Sequence, residues 1–401
     1  MSPTPLLFLS DDPTSGTGLG RITRDLATRV HKYLPDKFRV GTCGYGGNFS
    51  QSLGFPQYTI KMQDWHVFNL PEIWKDFAGD EHGILMPIWD ASRLLWLARP
   101  ENEEDPRLRN FLQSKPFDIW NYSPMDAHGV DGKLTMILKH TLEGFDRVLA
   151  YSKWAYDILE RTLDKSHFNH IDWRPHGIDT SVWYPRKRIQ ARHGFGDKLG
   201  AKDFRGKVTR IPDDAFLIGI VATNQARKDW GLGINVIAEI AKQKNVWCWL
   251  HTDRLENAWS IPILLQWDFK IHEKSIVTTV DFKDDQMAWA YSACDLTLGI
   301  GNGEGWGFPI FESLACGTPC IHGNYGGAPE HMPKCMLIEP AMDRIDGVYS
   351  LIRKVYRVED WVNTAVNLMG VKSESSLLPQ HISWDVLWPS WEAWFLQGLN
   401  G

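Results

Sequence analysis

Two glutamates flank a glycine-rich turn between residues 301 and 320. Glu304 lies among the glycines, and Glu312 follows eight residues later, shortly after Pro309. Carboxylates accept hydrogen bonds from sugar hydroxyls, whereas the amides of a bare glycine turn at the start of a helix bind phosphate oxygens. This combination of residue types predicts a site for a sugar nucleotide, with one carboxylate at each end of the ligand.

The same segment predicts a strand, a loop and a short helix that position the two carboxylates. Residues 293–300 are typical of a buried strand, and Pro309 suits a first helical residue, where its missing N–H would be unpaired in any case. Gly317 suits the left-handed position after a helix end. The helix N-terminus would then face a diphosphate above the strand ends. Glu312 also has a purely structural interpretation, since carboxylates stabilise the positive end of a helix.

This region resembles a known protein family. The run Glu-Gly-Trp-Gly-Phe-Pro-Ile-Phe-Glu at residues 304–312, followed by Gly317 and Pro319, resembles the signature of the family 4 retaining glycosyltransferases. Gly-Gly-Ala-Pro-Glu at residues 326–330 resembles their next element. The resemblance implies the GT-B fold, in which two doubly wound, Rossmann-like α/β domains face a cleft and a C-terminal helix crosses back to the first domain.

The resemblance also implies roles for individual residues of this turn. Glu304 is expected to contact the donor sugar and to be a catalytic residue, and Glu312 is expected to contact the ribose. The donor-binding backbone is expected to comprise Gly305, Trp306, Gly307 and Phe308. The two carboxylates are not expected to act as the nucleophile and acid of a glycosidase, because the resemblance gives them ligand-holding roles.

Length and composition agree with two α/β domains. A chain of 401 residues with 43% hydrophobic residues can form two ordinary cores. Strands alternate with helices, which predicts parallel sheets with ligands at the carboxyl ends of the strands. We predict an N-terminal acceptor-side domain, a nucleotide-sugar-binding domain and a C-terminal helix that packs back on the first domain, with bounds of 1–190, 191–375 and 376–401.

A cationic segment follows residues 216–221, the first predicted strand of the second domain. Lys228 is expected to reach the diphosphate as a point charge and to act in catalysis. The arginine that the family often carries a few residues earlier is absent. Either Arg227 replaces it or backbone amides bind more of the phosphate, and a solvated surface role is the alternative for Arg227. The backbone near Asp281, at the end of a strand predicted over residues 275–282, is implied to meet the nucleobase.

A second glycine loop joins a first strand, predicted over residues 5–10, to a helix predicted from Arg21. In the glycosyltransferase context, Gly18, Leu19 and Gly20 resemble the loop that reaches toward the donor phosphates and the acceptor. The dinucleotide fingerprint Gly-x-Gly-x-x-Gly is not cleanly matched. A plain structural turn is therefore the alternative.

Polar residues follow two other predicted strands of the first domain. Asp126 and His128 come after the strand at residues 117–122, in a loop that resembles the family loop facing the donor sugar. We assign them to the catalytic group, with a structural role equally open. His176 and Asp179 resemble the family element before the hinge, and a hydrogen-bonded turn is favoured over direct catalysis for this pair.

By this analogy the reaction is a retaining transfer of a hexose from a nucleotide-diphosphate sugar to a hydroxyl on a saccharide or a lipid-linked glycan. A UDP-glucose-like donor is predicted. The family implies front-face attack, in which the departing phosphate takes the acceptor proton. Helix N-termini, loop amides and Lys228 would stabilise the charge that develops on the diphosphate. The sequence has no Asp-x-Asp motif, so we expect neither an obligatory metal nor another cofactor.

The charge distribution leaves a second kind of acceptor open. The chain carries a net charge of −6, but residues 186–210 contain nine Lys or Arg against two Asp, so this segment is +7 and the rest is −13. A solvated linker is one interpretation, and contact with a phosphate backbone is the other. With 20 tryptophans available to stack an extruded base, a hydroxymethylpyrimidine of DNA is an alternative acceptor.

Two other classes of protein remain open from the sequence. The chain could be a module that binds a nucleotide sugar without transferring it, or a sugar-phosphate epimerase.

The sequence shows no targeting or membrane segment. It lacks a basic region followed by a long apolar run, and it has no stretch of about 18 apolar residues. Its six cysteines lack the Cys-x-x-Cys spacing of a zinc site, which favours reduced thiols. We therefore expect a soluble, cytoplasmic protein.

Overall fold

The computed structural model describes residues 2–47, 52–164, 171–197, 210–279, 282–347 and 349–399. Its internal contacts divide the chain into two units. Unit 1 comprises Met1–His176 with Trp388–Gly401, and unit 2 comprises Gly177–Leu387. Each unit is built around one parallel sheet, so the predicted α/β class is confirmed.

Unit 1 has central strands that are buried along most of their length, which is typical of a parallel sheet covered by helices. Its strands are β1 (Thr4–Asp11), β2 (Phe38–Tyr45), β3 (Gln57–Thr59), β4 (Met62–Gln63), β5 (His66–Val67), β6 (Gly83–Pro87), β7 (Phe117–Ser123), β8 (Arg147–Ala150) and β9 (Ile171–Trp173). Its helices are α1 (Gly18–Tyr33), α2 (Leu70–Ala78), α3 (Leu95–Ala98), α4 (Pro106–Gln113), α5 (Met136–Leu142) and α6 (Lys153–Thr162). The parallel sheet has the order β3-β2-β1-β6-β7-β8-β9, and β4 pairs with β5 separately.

Unit 2 repeats this plan with a six-stranded parallel sheet. Its strands are β10 (Phe216–Val221), β11 (Val246–His251), β12 (Ser275–Thr278), β13 (Leu296–Gly299), β14 (Cys320–Gly323), β15 (Leu337–Ile338), β16 (Met342–Asp346) and β17 (Leu351–Val355). The helices that begin in it are α7 (Arg188–Asp197), α8 (Trp230–Ala241), α9 (Ile261–Ile263), α10 (Asp284–Ala293), α11 (Phe308–Ala315), α12 (Val358–Asn367) and α13 (Trp384–Gly398). The sheet has the order β12-β11-β10-β13-β14-β15, and β16 and β17 form an antiparallel hairpin.

In both sheets the strand order reverses beside the first strand of the unit. The reversal lies between β1 and β6 in unit 1, and between β10 and β13 in unit 2. Connections leave these two neighbours in opposite directions, so a crevice opens at their carboxyl ends, where open α/β sheets bind ligands. The loops after β10 and β13 therefore flank the expected ligand site of unit 2.

The last helix, α13, returns the chain to unit 1. From Trp388 onward its residues belong to that unit. Trp391 is fully buried and donates its Nε1–H to the Pro175 carbonyl at 3.0 Å, and Trp394 packs edge-on against Trp120. The predicted return of a tryptophan-rich helix to the first domain is confirmed.

Most predicted elements agree with the structure to within a few residues. The strand predicted at residues 216–221 coincides with β10. Helix α11 has Pro309 in its first turn, and Gly317 has the predicted left-handed conformation, with φ of +74°. The strand predicted over residues 275–282 is shorter, because β12 ends at Thr278.

Candidate functional site

A cationic turn and a glycine-rich loop meet at the switch point of unit 2, the place between β10 and β13 where the strand order of the sheet reverses. The cationic turn, residues 222–229, follows β10, and the glycine loop, residues 300–307, follows β13. Asp229 donates its backbone N–H to the Ile300 carbonyl at 2.9 Å, and Asn302 donates to the Arg227 carbonyl at 2.9 Å. These bonds hold the two segments side by side at the carboxyl edge of the sheet.

Three of the predicted site residues converge between these segments. Lys228 Nζ contacts Glu304 Oε1, and Arg227 Nη1 lies 3.4 Å from Glu304 Oε2. Arg227 also donates to the Gly303 carbonyl at 3.2 Å. The side chains of Lys228 and Glu304 are only 12% and 13% exposed. Arg227 is thus part of the cluster rather than a freely solvated surface residue, and both oxygens of Glu304 face a cation.

Glycines make room for Glu304 on both sides. A Cβ on Gly301 would lie 2.2 Å from Glu304 Oε1, and a Cβ on Gly326 would lie 2.3 Å from the Glu304 carbonyl oxygen. Gly327 donates its N–H to that carbonyl at 2.9 Å. Gly326 and Gly327 therefore hold the backbone of Glu304, while Gly301 leaves space for its carboxylate over the loop.

The glycine loop runs directly into helix α11. Gly305 continues the loop, Gly307 adopts a φ of +85° as the residue before the helix, and Phe308 is the first helical residue. The amide end of a helix carries partial positive charge, so an anion above this loop is stabilised. Glu312 lies on the same helix and is buried.

Trp306 is a packing residue of this loop. Its ring is buried, with its centroid 4.6 Å from that of Phe311 on α11 and 5.3 Å from that of His331. The ring therefore fixes the loop against the helix, and it does not offer an open face on which a base or sugar could stack.

The predicted site residues of the first domain lie in unit 1, and one prediction about their structure is wrong. Gly18, Leu19 and Gly20 do not form a loop before Arg21, because they are the first turn of α1. The helix starts early since the Thr17 hydroxyl caps it, accepting the N–H of Gly20 at 3.1 Å. The cap offsets the poor helix propensity of the two glycines.

Asp126 and His128 follow β7 in unit 1, in the loop where they were predicted. Both side chains are half-buried. His128 Nδ1 lies 2.7 Å from the Gly129 carbonyl oxygen. This contact orients the imidazole within its own loop.

Asp179 has the contacts of a hydrogen-bonded turn, whereas His176 contacts a residue of the distant strand β7. His176 is fully buried, its Nδ1 lies 2.8 Å from the Tyr122 hydroxyl, and burial holds its pKa well below the usual value. Asp179 accepts from the N–H and the hydroxyl of Ser181 at 3.0 and 2.6 Å.

The residue predicted near the nucleobase, Asp281, lies outside the described residues.

Within the described ranges, no three His, Cys, Asp or Glu side chains are grouped so that they could hold a metal ion. In that same part of the chain, no helix is long and apolar enough to cross a membrane. All six cysteines are free thiols, and Cys335 is the exposed one.

Sequence comparison finds distant relatives over part of the chain. No protein-family model matches. The chain is 23% identical over 201 residues to a D-inositol 3-phosphate glycosyltransferase of Pseudarthrobacter chlorophenolicus, covering 49% of this chain and 41% of that protein. It is 21% identical over 247 residues to the protein of that name from Arthrobacter sp. strain FB24, covering 58% and 47%. The chain thus spans less than half the length of the curated relatives it matches.

Structural comparison extends over almost the whole chain. Sucrose-phosphate synthase from Thermosynechococcus elongatus matches with a TM-score of 0.69 and 14% identity, covering 99% of both chains. Anabaena HepE in complex with UDP and glucose matches with a TM-score of 0.66 and 12% identity, covering 97% of this chain and 99% of that one. The fold is GT-B. This is the fold that the resemblance of the Glu304 motif to the family 4 glycosyltransferases implied.

A buried asparagine in the cationic turn of this GT-B protein was missed from the sequence. The Nδ2 of Asn224 donates to the Trp259 carbonyl at 2.8 Å, and its Oδ1 accepts the Trp259 N–H at 3.0 Å. Its own N–H donates to Asp253 at 2.7 Å. Asn224 therefore ties the turn to the segment after β11. A single polar residue in a polar loop gives no signal of this role.

Two aspartates that shape the loop after β1 were also missed. Asp11 accepts from Trp89 Nε1 at 3.2 Å and from the Thr17 hydroxyl at 2.7 Å. Asp12 is buried and accepts the Thr14 N–H at 2.8 Å. The sequence signal for this role was two consecutive aspartates at the end of a predicted apolar strand, because Asp side chains there accept hydrogen bonds from the backbone of the following turn.

One buried and one half-buried histidine near the glycine loop escaped prediction as well. His322 lies on β14, and His331 packs against Trp306 with its Nδ1 at 3.0 Å from His381 Nε2. Burial is the main cause that lowers the pKa of His322 and of His331 to about 4. The signal for His322 was a lone imidazole in an otherwise apolar strand.

Acidification is expected to destabilise this GT-B protein through these histidines. His322 has a folded pKa of about 4 against an ordinary value of 6.5, so the unfolded chain binds more protons between these limits and stability falls as the pH drops through them. The expected loss for His322 alone is about 2 kcal/mol at pH 5 relative to pH 7.5. Urea unfolding followed by tryptophan fluorescence at both pH values measures this loss.

A matched control identifies the group responsible. His322→Asn should lose less stability on acidification than the wild type, whereas His82→Asn, which removes an exposed imidazole, should lose as much as the wild type. Equal losses in all three proteins would contradict the assignment to His322.

Proposed function

We propose that the protein is a retaining glycosyltransferase that moves a hexose from a nucleotide-diphosphate sugar, with UDP-glucose as the first donor to test, to a hydroxyl of a saccharide or a lipid-linked glycan. The observation that carries this proposal is the cluster of Lys228, Arg227 and Glu304 beside the glycine loop, at the switch point of the unit 2 sheet. The names of the curated relatives and the UDP and glucose in the HepE complex support it.

Lys228 and the N-terminus of α11 supply positive charge where the reaction needs it. Negative charge builds on the diphosphate as the bond from the anomeric carbon to the phosphate oxygen breaks. Fixed positive groups stabilise such charge most effectively where little water is present, and Lys228 is 12% exposed. Arg227 supplies a second cation in place of the arginine that the family often carries.

Donor binding exchanges the partners of the buried charges. In the structure, both oxygens of Glu304 face cations. The diphosphate offers Lys228 a new anion, and the hexose offers Glu304 hydroxyl donors, so the old pair separates as two new contacts form. Lys228 thus has an anionic partner and Glu304 has hydrogen-bond donors in both states, which matters because an uncompensated buried charge costs about 3–5 kcal/mol.

The transfer itself needs no nucleophile from the protein. The acceptor oxygen forms its bond to the anomeric carbon on the face from which the phosphate leaves. The electron pair of the broken bond stays on the phosphate oxygen, which takes the acceptor proton. Glu304 and Glu312 bind hydroxyls of the hexose and the ribose in this scheme, in contrast to the carboxylate pair of a glycosidase. The scheme requires no metal and no other cofactor.

We assign the acceptor side to unit 1. Gly18, Leu19 and Gly20 follow β1, whereas Asp126 and His128 follow β7, and the carboxyl ends of these strands lie on the same edge of one parallel sheet. In this assignment Asp126 and His128 bind hydroxyls of the reacting sugars. The nucleobase is assigned to the backbone near Asp281.

A screen of donors and acceptors tests the proposed reaction. The protein is incubated in EDTA with UDP-, ADP- and GDP-hexoses and with saccharide, glycolipid and duplex DNA acceptors, and products are identified by mass spectrometry and NMR. We expect transfer from one class of donor with retention at the anomeric carbon. Donor binding without turnover would favour a binding module, and conversion of the sugar itself would favour an epimerase. Failure to bind any nucleotide sugar would refute the proposal.

A DNA acceptor is the second candidate. It was suggested by the basic segment at residues 186–210, and the structure gives several of those arginines another role. Arg188 and Arg192 both pair with Asp295, and Arg186 lies 2.6 Å from Asp285. These arginines therefore tie the start of the basic segment to α10 and to the residue just before β13, within unit 2. Residues 198–209 of that segment lie outside the described residues.

A further inference from the structure

His322 lies beside the point where the glycine loop leaves the sheet. Its partner across the parallel ladder is Gly299, the last residue of β13. The glycine loop begins at the next residue. The position of the Gly299 carbonyl therefore determines where the loop starts, and the fully buried side chain of His322 contacts that carbonyl.

The contact defines which ring nitrogen carries the proton. His322 Nδ1 lies 2.6 Å from the Gly299 carbonyl oxygen. A carbonyl only accepts, so Nδ1 donates and Nε2 is unprotonated in the neutral ring. Nε2 is buried and has no hydrogen-bond partner in the described part of the chain. Burial chiefly, and also the nearby Lys228, lower the pKa of this imidazole to about 4, so the ring stays neutral at pH 7.

The ring also fills the space between the strand end and helix α11. A Cβ on Gly299 would lie 3.0 Å from His322 Nδ1 and 3.2 Å from Ile310, which is on α11. Glycine at position 299 is therefore what lets the imidazole approach the strand end. The same ring thus contacts the start of the glycine loop and lies next to the helix that carries Glu312.

From Gly299 the chain passes at once into contact with the cationic turn. The Ile300 carbonyl accepts the N–H of Asp229, and Gly301 pairs with Lys228 in an isolated bridge. Glu304 follows in the same loop. A shift of the strand end would therefore move Glu304 relative to Lys228.

We propose that His322 is a positioning residue for the donor site: its Nδ1–H bond to Gly299 fixes the origin of the glycine loop and thereby the place of Glu304 opposite Lys228. His322 touches neither the donor nor the reacting atoms. The inference rests on the proposed function, because donor binding and turnover are its readouts.

Two substitutions separate the hydrogen bond from the volume of the ring. Asn places an amide N–H₂ near the position of Nδ1, whereas Gln places one near the position of Nε2 and is closer to His in volume. If the bond to Gly299 matters, His322→Asn should keep the Kd for UDP-glucose within about threefold of the wild type. His322→Gln and His322→Ala should weaken it about 10- to 100-fold, because returning the displaced loop to its binding position then costs free energy comparable with that of the lost bond.

The measurements are titration calorimetry with UDP-glucose, the donor KM and kcat, and the melting temperature of each variant at pH 7.5. If His322 only fills space, His322→Gln, the better volume match, should bind UDP-glucose at least as tightly as His322→Asn. The Kd for UDP-glucose would then not depend on whether the side chain can donate a hydrogen bond to Gly299. That order, or wild-type Kd in all three variants, would overturn the inference. Failure of the proposed function gives a different result, because the wild type itself would then not bind UDP-glucose.

Discussion

Glu304→Ala is expected to lower kcat/KM for hexose transfer by about 10²- to 10⁴-fold while the protein still folds. Glu304 accepts hydrogen bonds from the hexose in the proposed complex, and hydrogen bonds to a charged group contribute about 1.5–3 kcal/mol each. Two such bonds correspond to this range of rates. The substitution also removes the anion that holds Lys228 before the donor binds.

The measurement is steady-state kinetics with the best donor of the screen, beside circular dichroism and thermal unfolding. Glu239→Ala is the matched control, since the side chain of this unit 2 glutamate is 41% exposed and pairs with Lys242. The control should keep wild-type kinetics. Near-normal turnover by a well-folded Glu304→Ala protein would remove Glu304 from the site.

Lys228→Met should affect catalysis and stability together. Loss of the cation at the diphosphate is expected to lower kcat by about 10²- to 10³-fold, the usual effect of removing one group that stabilises developing negative charge. The folded protein should also lose about 3 kcal/mol of unfolding free energy, because Glu304 stays mostly buried and, among the described residues, keeps Arg227 at 3.4 Å as its one cation.

A double-mutant cycle distinguishes the two effects of Lys228. Adding Glu304→Gln to Lys228→Met should restore most of the lost stability, because no buried charge is then unpaired. It should restore no activity. Urea unfolding and kcat are measured for the wild type, both single variants and the double variant. Additive changes in unfolding free energy would show that the two side chains are not coupled.

The residues of the glycine loop could be predicted because their types are consecutive in the sequence. Glu304, the glycines around it and Pro309 form a local pattern whose strand, loop and helix follow from local preferences. The pairing of Glu304 with Lys228 could not be predicted in this way. It joins positions that are 76 residues apart, and it depends on β13 lying next to β10 in the sheet.

The errors and omissions have similar physical causes. The start of α1 was placed at Arg21 because two glycines favour a loop, but a hydroxyl cap from Thr17 decided the helix start. Asn224 and His322 are single polar residues whose roles come from partners on other strands and loops, Trp259 and Gly299. A residue of that kind has no local pattern, so only the tertiary structure reveals what it holds in place.

A structure of the protein with UDP-glucose bound tests the central claim most directly. We predict that the diphosphate lies within hydrogen-bond distance of Lys228 Nζ and of the glycine-loop amides, and that Glu304 has left Lys228 to accept hydroxyls of the hexose. A crystal saturated with UDP-glucose in which Lys228 and Glu304 remain paired, with the nucleotide sugar bound elsewhere or not at all, would contradict the account.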